Sequence, residues 1–74
     1  MIAVLQSVVF ERANGWTVES SRKWLVEHDY KTNYFGKGVD VKRTQLRWRQ
    51  TAPNFATYRT KKLDNGILLV FGIK

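Results

Sequence analysis

Seven of the thirteen basic residues lie between Val41 and Leu63, and this segment contains no acidic residue. The other six basic residues are balanced by the six acidic residues of the chain, so the net charge of +7 arises from this segment alone. Arginine and lysine side chains donate hydrogen bonds to phosphate oxygens, and a cluster of one charge sign attracts a polyanion. The candidate nucleic-acid contacts are Lys42, Arg43, Arg47, Arg49, Arg59, Lys61 and Lys62.

The segment from residue 45 to residue 50 alternates polar and apolar side chains. This period of two is typical of a strand, and it predicts Leu46 and Trp48 on one face and Arg47 and Arg49 on the other. We therefore assign Trp48 to the core rather than to a platform on which a nucleic-acid base could stack.

If the alternate residues of the second basic strand point the same way, Arg59 and Lys61 share an uncovered sheet face with Arg47 and Arg49. Such a face could follow the phosphates of a nucleic acid, with an affinity that falls with salt. The alternative is that these charges only keep an exposed strand soluble and prevent edge-to-edge aggregation. Both interpretations stay open, because the sequence does not reveal which strands are neighbours.

Tyr34 and Phe35 are the candidates for stacking against bases, because they lie in a loop flanked by glycines, residues 33–38. The alternative is that both rings fold back under the loop as a small apolar cluster.

The remaining polar residues do not favour catalysis or metal binding. His28 is the only histidine and the chain has no cysteine, so a zinc site of usual composition is excluded. Glu27 and Asp29 are too close in a helix to face each other as an acid and base pair. The segment 36–38 lacks the third glycine spacing and the following helix of a phosphate-binding loop. We expect no enzyme activity, no metal and no cofactor, and a structural role for His28 at a helix end.

The N-terminal half of the chain predicts a strand followed by a helix. Residues 4–10 are rich in valine and form the strand. Thr17 can cap the helix, which we expect over residues 18–28 and packed through Leu25 and Trp24.

The C-terminal half predicts further strands. Residues 39–42 alternate and turn at residues 43–44 into the strand that contains Trp48, while Pro53 requires a loop. Strands over residues 58–63 and 67–73 flank an Asn-Gly pair that favours a two-residue type I′ hairpin turn. In that register the predicted core face comprises Tyr58, Ile67, Leu69, Phe71 and Ile73. The opposite face comprises Arg59, Lys61, Leu63, Leu68, Val70 and Gly72.

The elements together predict an α+β fold, a single small domain over residues 1–74. An antiparallel sheet of four to five strands has one helix packed on one face, in the order β-α-β-β-β-β. Its other face is left to solvent or a partner, and self-association as a homo-oligomer could add stability to so small a core. Residues 1–10 lack the features of a signal peptide, and no apolar run reaches the length of a membrane span.

The combined motifs resemble a small uncharacterised domain of tailed bacteriophages and some large DNA viruses. The residues that support this resemblance are Ser7 to Phe10, Trp16-Thr17, Trp24-Leu25, His28 to Tyr30, Leu46 to Gln50, Pro53, Phe55, Arg59 to Leu63, Gly66-Ile67 and Gly72. The resemblance covers nearly the full chain. It implies a viral protein of the host cytoplasm or the virion, and it implies no particular activity.

The sequence therefore predicts a small, basic, non-catalytic viral protein. It would bind nucleic acid, DNA or RNA, largely through phosphate contacts and without sequence specificity. The alternative is a protein-interaction or virion-assembly module, or a modulator of a host factor, whose basic face meets an acidic protein surface.

Overall fold

The computed structural model describes residues 2–74. In chain order its elements are β1 (Ala3–Glu11), α1 (Val18–Glu27), β2 (Val39–Val41), β3 (Gln45–Arg49), β4 (Thr57–Lys62) and β5 (Ile67–Ile73). All neighbouring strands are antiparallel, and the sheet order is β2-β3-β1-β5-β4. The α+β class, with one helix on a five-stranded antiparallel sheet, is confirmed.

β1 lies at the centre of the sheet, between β3 and β5. Val8 lies opposite Trp48 and Leu69, and Phe10 lies opposite Leu46 and Ile67. Together with Leu25 of the helix, these residues form the core. β1 is buried from residue 6 to residue 10, because it is the central strand and is paired along both edges.

α1 begins where the sequence predicts. Thr17 caps it by accepting a hydrogen bond from the Ser20 backbone, and the Ser20 hydroxyl accepts one from the Thr17 backbone. Leu25 is fully buried against the sheet. The helix ends at Glu27, and His28 follows as its cap, with Nδ1 2.8 Å from the Trp24 carbonyl oxygen. The predicted structural position of His28 matches this geometry.

The register predicted for the β4–β5 hairpin is wrong by one residue. The loop contains three residues, Asp64–Gly66, and the backbone N–H of Leu63 donates to the carbonyl of Ile67 at 2.8 Å. Positive φ at Asn65 and Gly66 agrees with the prediction. The longer loop changes every cross-strand pair, and the pairs are now Lys62 with Leu68, Lys61 with Leu69, Thr60 with Val70, Arg59 with Phe71, and Tyr58 with Gly72.

The three-residue loop is contacted by residues 14–16, which follow β1 and are distant in sequence. Trp16 Nε1 donates a hydrogen bond of 2.6 Å to the carbonyl oxygen of Asn65. A side chain at Gly66 would overlap the side chain of Asn14, so the turn is seated directly against the segment that follows β1. Neither contact can be derived from the local Asn-Gly pattern.

The loop after β3 is fastened to an irregularity in β1. The pairing of β1 with β5 shifts register between Leu5 and Ser7, which leaves Gln6 as the extra residue. The carbonyl of Gln6 accepts the backbone N–H groups of Gln50 and Thr51, at 2.7 and 3.2 Å. This loop continues towards β4 and lies over one end of the sheet.

Candidate nucleic-acid interface

The open face is the face of the sheet that lies opposite α1. Cross-strand pairing assigns to it the side chains of Asp40, Arg47, Arg49, Ser7, Val9, Leu68, Val70, Gly72, Tyr58, Thr60 and Lys62. Its centre is apolar, since Val9 and Val70 are buried between the longer side chains of neighbouring strands. Its basic groups stand at the sides, on β3 and at the end of β4.

Arg47 and Arg49 lie on the open face, as the alternation in β3 predicts. Arg47 is exposed and Arg49 is half-buried. Within residues 2–74 the one ion pair joins Lys42 and Asp40, at 3.2 Å, so neither guanidinium group is neutralised by a carboxylate there. Both groups can therefore donate hydrogen bonds to an anionic ligand.

The two arginines separate two depressions in the surface. The edge depression, of about 410 Å³, lies between them and the β2 side, where Lys37 and Asp40 line it. The central groove, of about 370 Å³, lies on their other side. Because Arg47 and Arg49 line both, a ligand in either depression would contact them.

The central groove runs between β3 and β4. Val70 and Gln6 line it together with Tyr58, Thr60 and Pro53. Three strand spacings separate β3 from β4, which corresponds to roughly 14 Å between their axes. The groove therefore has an apolar centre, guanidinium groups along one side and a tyrosine on the other. Such a groove suits an extended polyanion that also carries planar groups.

Phe55 covers one end of the open face. A side chain at Gly72 would overlap the Phe55 ring, so this ring lies directly on the backbone of β5. Tyr58 packs edge-on against the same ring at 5.9 Å, and Lys74 Nζ lies 5.7 Å from its centre. The loop after β3 thus covers the open face at Gly72 and packs against Tyr58, which lines the central groove.

The hydroxyl of Ser7 is buried in the sheet and has no hydrogen-bond partner among residues 2–74. Ser7 is fully buried and lies opposite Arg49 on one side and Val70 on the other, beneath the residues that line the central groove. An unpaired buried hydroxyl is unfavourable for folding, and sequence reasoning did not single out this residue.

The expectation that Arg59 and Lys61 share a face with Arg47 and Arg49 is wrong. The one-residue change of register turns Arg59 towards the side of Phe71 and Lys61 towards the side of Leu69, which is the face covered by α1. Both remain exposed because β4 is an edge strand.

Tyr58, predicted to lie in the core, lies instead on the open face, where it is 44% exposed. Thr60 and Lys62 share that face. Lys42 follows β2 and forms its ion pair with Asp40, while Arg43 lies in the turn between β2 and β3. The open face thus carries three of the seven candidates, Arg47, Arg49 and Lys62, and Lys42 reaches it through its ion pair with Asp40.

Tyr34 and Phe35 belong to a short tip hairpin, residues 34–37. Tyr34 and Lys37 exchange two backbone hydrogen bonds, of 2.8 and 2.9 Å. Phe35 and Gly36 form the turn, with φ of 48° and 81°. Phe35 is 90% exposed, so it does not fold under the loop, whereas Tyr34 is half-buried beneath it and meets the Phe35 ring edge-on at 4.7 Å.

Trp48 is 1% exposed, and its assignment to the core is confirmed. In the part of the chain that the structure describes, no group of three or more acidic, histidine or cysteine side chains could hold a metal ion. No helix within residues 2–74 is long and apolar enough to cross a membrane.

No protein-family model, curated protein or solved structure matches this chain. The resemblance to a domain of phages and large DNA viruses therefore stays a prediction from short motifs. The function must be argued from the geometry of the open face.

Proposed function

We propose that this protein binds nucleic acid without catalysis, largely through phosphate contacts, along the open face of the sheet. The observation that supports this most directly is the pair Arg47 and Arg49, whose guanidinium groups lie beside two depressions without a carboxylate partner among residues 2–74. Fully buried or ion-paired arginines would favour a structural role, whereas Arg47 is exposed, Arg49 is half-buried and neither has an ion pair within residues 2–74.

The spacing of the two arginines suits a polymer. Residues two apart in an antiparallel strand lie roughly 6.8 Å apart, and long flexible side chains let them contact neighbouring phosphates of one backbone. Lys62 on β4 adds a positive charge on the other side of the central groove, whereas the charge of Lys42 is paired with Asp40. Since the candidate contacts are charged groups on strands, affinity should depend strongly on salt and little on sequence.

The rival function is binding to an acidic protein. All six residues of the edge strand β4 are exposed, and an extended segment of a partner could pair with its free backbone groups. The basic side chains of Arg59, Lys61 and Lys62 would then favour an acidic partner. Both depressions are lined by Arg47 and Arg49 on the open face, which favours nucleic acid over a strand paired to the edge of β4.

A comparison of two charge-matched variants tests the proposal. Arg47→Gln/Arg49→Gln removes two charges from the open face, and Arg59→Gln/Lys61→Gln removes two charges from the other face. Binding to labelled mixed-sequence oligonucleotides is measured by fluorescence anisotropy over a range of salt concentrations.

The first variant should lose affinity for all sequences alike and should reduce the slope of log affinity against log salt by about 1.4 for single strands. The affinity and the salt slope of the second variant should stay much closer to those of the unmodified protein. Equal losses in both variants would show that only net charge matters, and absence of binding by the unmodified protein at low salt would reject the proposal.

A further inference from the structure

The tip hairpin presents an aromatic ring that neither folding nor solubility explains. Phe35 is a large apolar residue that is 90% exposed. Its φ of 48° lies in the left-handed region, which is unfavourable for a bulky side chain and which glycine or asparagine adopts more readily. Glycine or asparagine at this position would therefore be more favourable for folding than phenylalanine.

Hydrogen bonds of the hairpin fix the backbone on which this ring is carried. Two backbone hydrogen bonds between Tyr34 and Lys37 close the turn, and Asn33 Oδ1 accepts the backbone N–H of Gly36 at 2.8 Å. The Tyr34 ring contacts the Phe35 ring edge-on at 4.7 Å. An aromatic ring that is already ordered loses little conformational freedom when a flat ligand stacks on it.

The hairpin also lies beside the proposed phosphate contacts. Lys37 and Gly38 line the edge depression together with Arg47 and Arg49. Lys31 Nζ lies 5.6 Å from the centre of the Tyr34 ring, which adds a positive charge at the base of the hairpin. Since Lys37 belongs to both the hairpin and the depression, the turn that carries Phe35 lies next to the place where the arginines would hold a polyanion.

We propose that Phe35 stacks on an unpaired base, so that the ligand of the open face is a single-stranded nucleic acid. This inference rests on the proposed function, since it assigns the kind of nucleic acid to the same face. An aromatic platform next to a positively charged groove is how proteins bind single strands without reading their sequence. In a duplex the faces of the bases are already stacked on each other, and the ring would have no partner.

Phe35→Asn is the direct test. Asparagine tolerates the left-handed conformation, so the variant should fold with an equal or higher melting temperature. Its affinity for a mixed-sequence single strand should fall by about five- to a hundredfold, while the salt slope stays unchanged because no phosphate contact is lost. Its weaker affinity for the matching duplex should not change.

Phe35→Trp supplies a readout that reports stacking itself. The fluorescence of the introduced indole should be quenched by the single strand beyond the background of the three native tryptophans. Polyphosphate, which has charge without bases, should not quench it. The unmodified protein gives the background, and equal quenching of the variant by polyphosphate would reject stacking.

The two proposals fail in different ways. If Phe35→Asn binds single strands as the unmodified protein does, while Arg47→Gln/Arg49→Gln is impaired, the stacking role is rejected and the proposed function stands. If Phe35→Asn loses as much affinity for the duplex as for the single strand, the ring inserts between base pairs and the single-strand assignment is rejected. If the unmodified protein binds neither form at low salt, the proposed function itself fails.

Discussion

Trp48 Nε1 donates a hydrogen bond of 3.0 Å to Ser21 Oγ, and this bond joins β3 to α1 inside the core. The Ser21 hydroxyl in turn donates to the carbonyl of Val18 at 3.0 Å. The same strand thus presents two different surfaces, with Trp48 fixed beneath the helix and Arg47 and Arg49 turned to the open face. The stability of the domain and the placement of its arginines depend on this one strand.

Trp48→Ala should therefore destabilise the domain by about 3 kcal/mol or more, because it leaves a cavity at a fully buried site. A loss of this size is comparable to the whole stability of so small a domain. Urea denaturation followed by circular dichroism measures it. Arg47→Ala, one position away and exposed, is the control and should change the free energy of unfolding by less than about 0.5 kcal/mol. A stable Trp48→Ala protein that has lost its ligand would show that the faces of β3 are reversed.

Ser7→Ala should stabilise the domain by about 1 kcal/mol, because it removes a buried hydroxyl that has no partner in the described part of the chain. Ser21→Ala is the matched control, since it makes the same chemical change at another fully buried position. There the hydroxyl both accepts and donates, so its removal should cost about 1 kcal/mol. Thermal denaturation compares the two variants, and a loss of stability in both would mean that Ser7 has a partner.

Gly66→Val should destabilise the domain by more than about 1 kcal/mol, because φ at this position is 74° and a β-branched residue is strained there. The new side chain would also meet Asn14. If valine forces another loop, the register slips and apolar side chains become exposed, so the variant should aggregate. Asn65→Gly at the neighbouring position of positive φ should fold normally. An unchanged melting temperature and solubility of Gly66→Val would contradict this account of the turn.

The elements of the fold follow from local patterns, and the sequence predicts them well. Thr17 as a cap and the alternation around Trp48 depend on neighbours along the chain, so α1 and β3 appear where expected. The antiparallel arrangement and the order of elements follow from the same local signals.

The site is predicted less completely, because it depends on contacts between distant segments. The register of β4 is one residue from the expected one, and the turn that sets it is bonded to Trp16. That single residue decides whether Arg59 or Tyr58 faces the groove. The tip hairpin is not predicted for a different reason. Phe35 has a positive φ, and this conformation is too rare for phenylalanine to be predicted from a sequence pattern.

The register of the β4–β5 hairpin can be tested by a disulfide, because the chain has no cysteine of its own. Thr60 lies directly opposite Val70, and both side chains point to the open face. The backbone bond from Leu63 to Ile67 makes the 60–70 pair one of the closely spaced pairs that lack hydrogen bonds, with the short separation that a disulfide needs.

Thr60→Cys/Val70→Cys should therefore form a disulfide under mild oxidation and raise the melting temperature, because the bond restricts the unfolded chain. Thr60→Cys/Phe71→Cys is the control, since those two residues point to opposite faces in this register but would be partners with a two-residue turn. Non-reducing electrophoresis after digestion, or a thiol count, measures the outcome. Efficient disulfide formation in the control pair, with free thiols in Thr60→Cys/Val70→Cys, would show that the turn has two residues. Arg59 and Lys61 would then lie on the open face, and Tyr58 and Lys62 would lie on the face covered by α1.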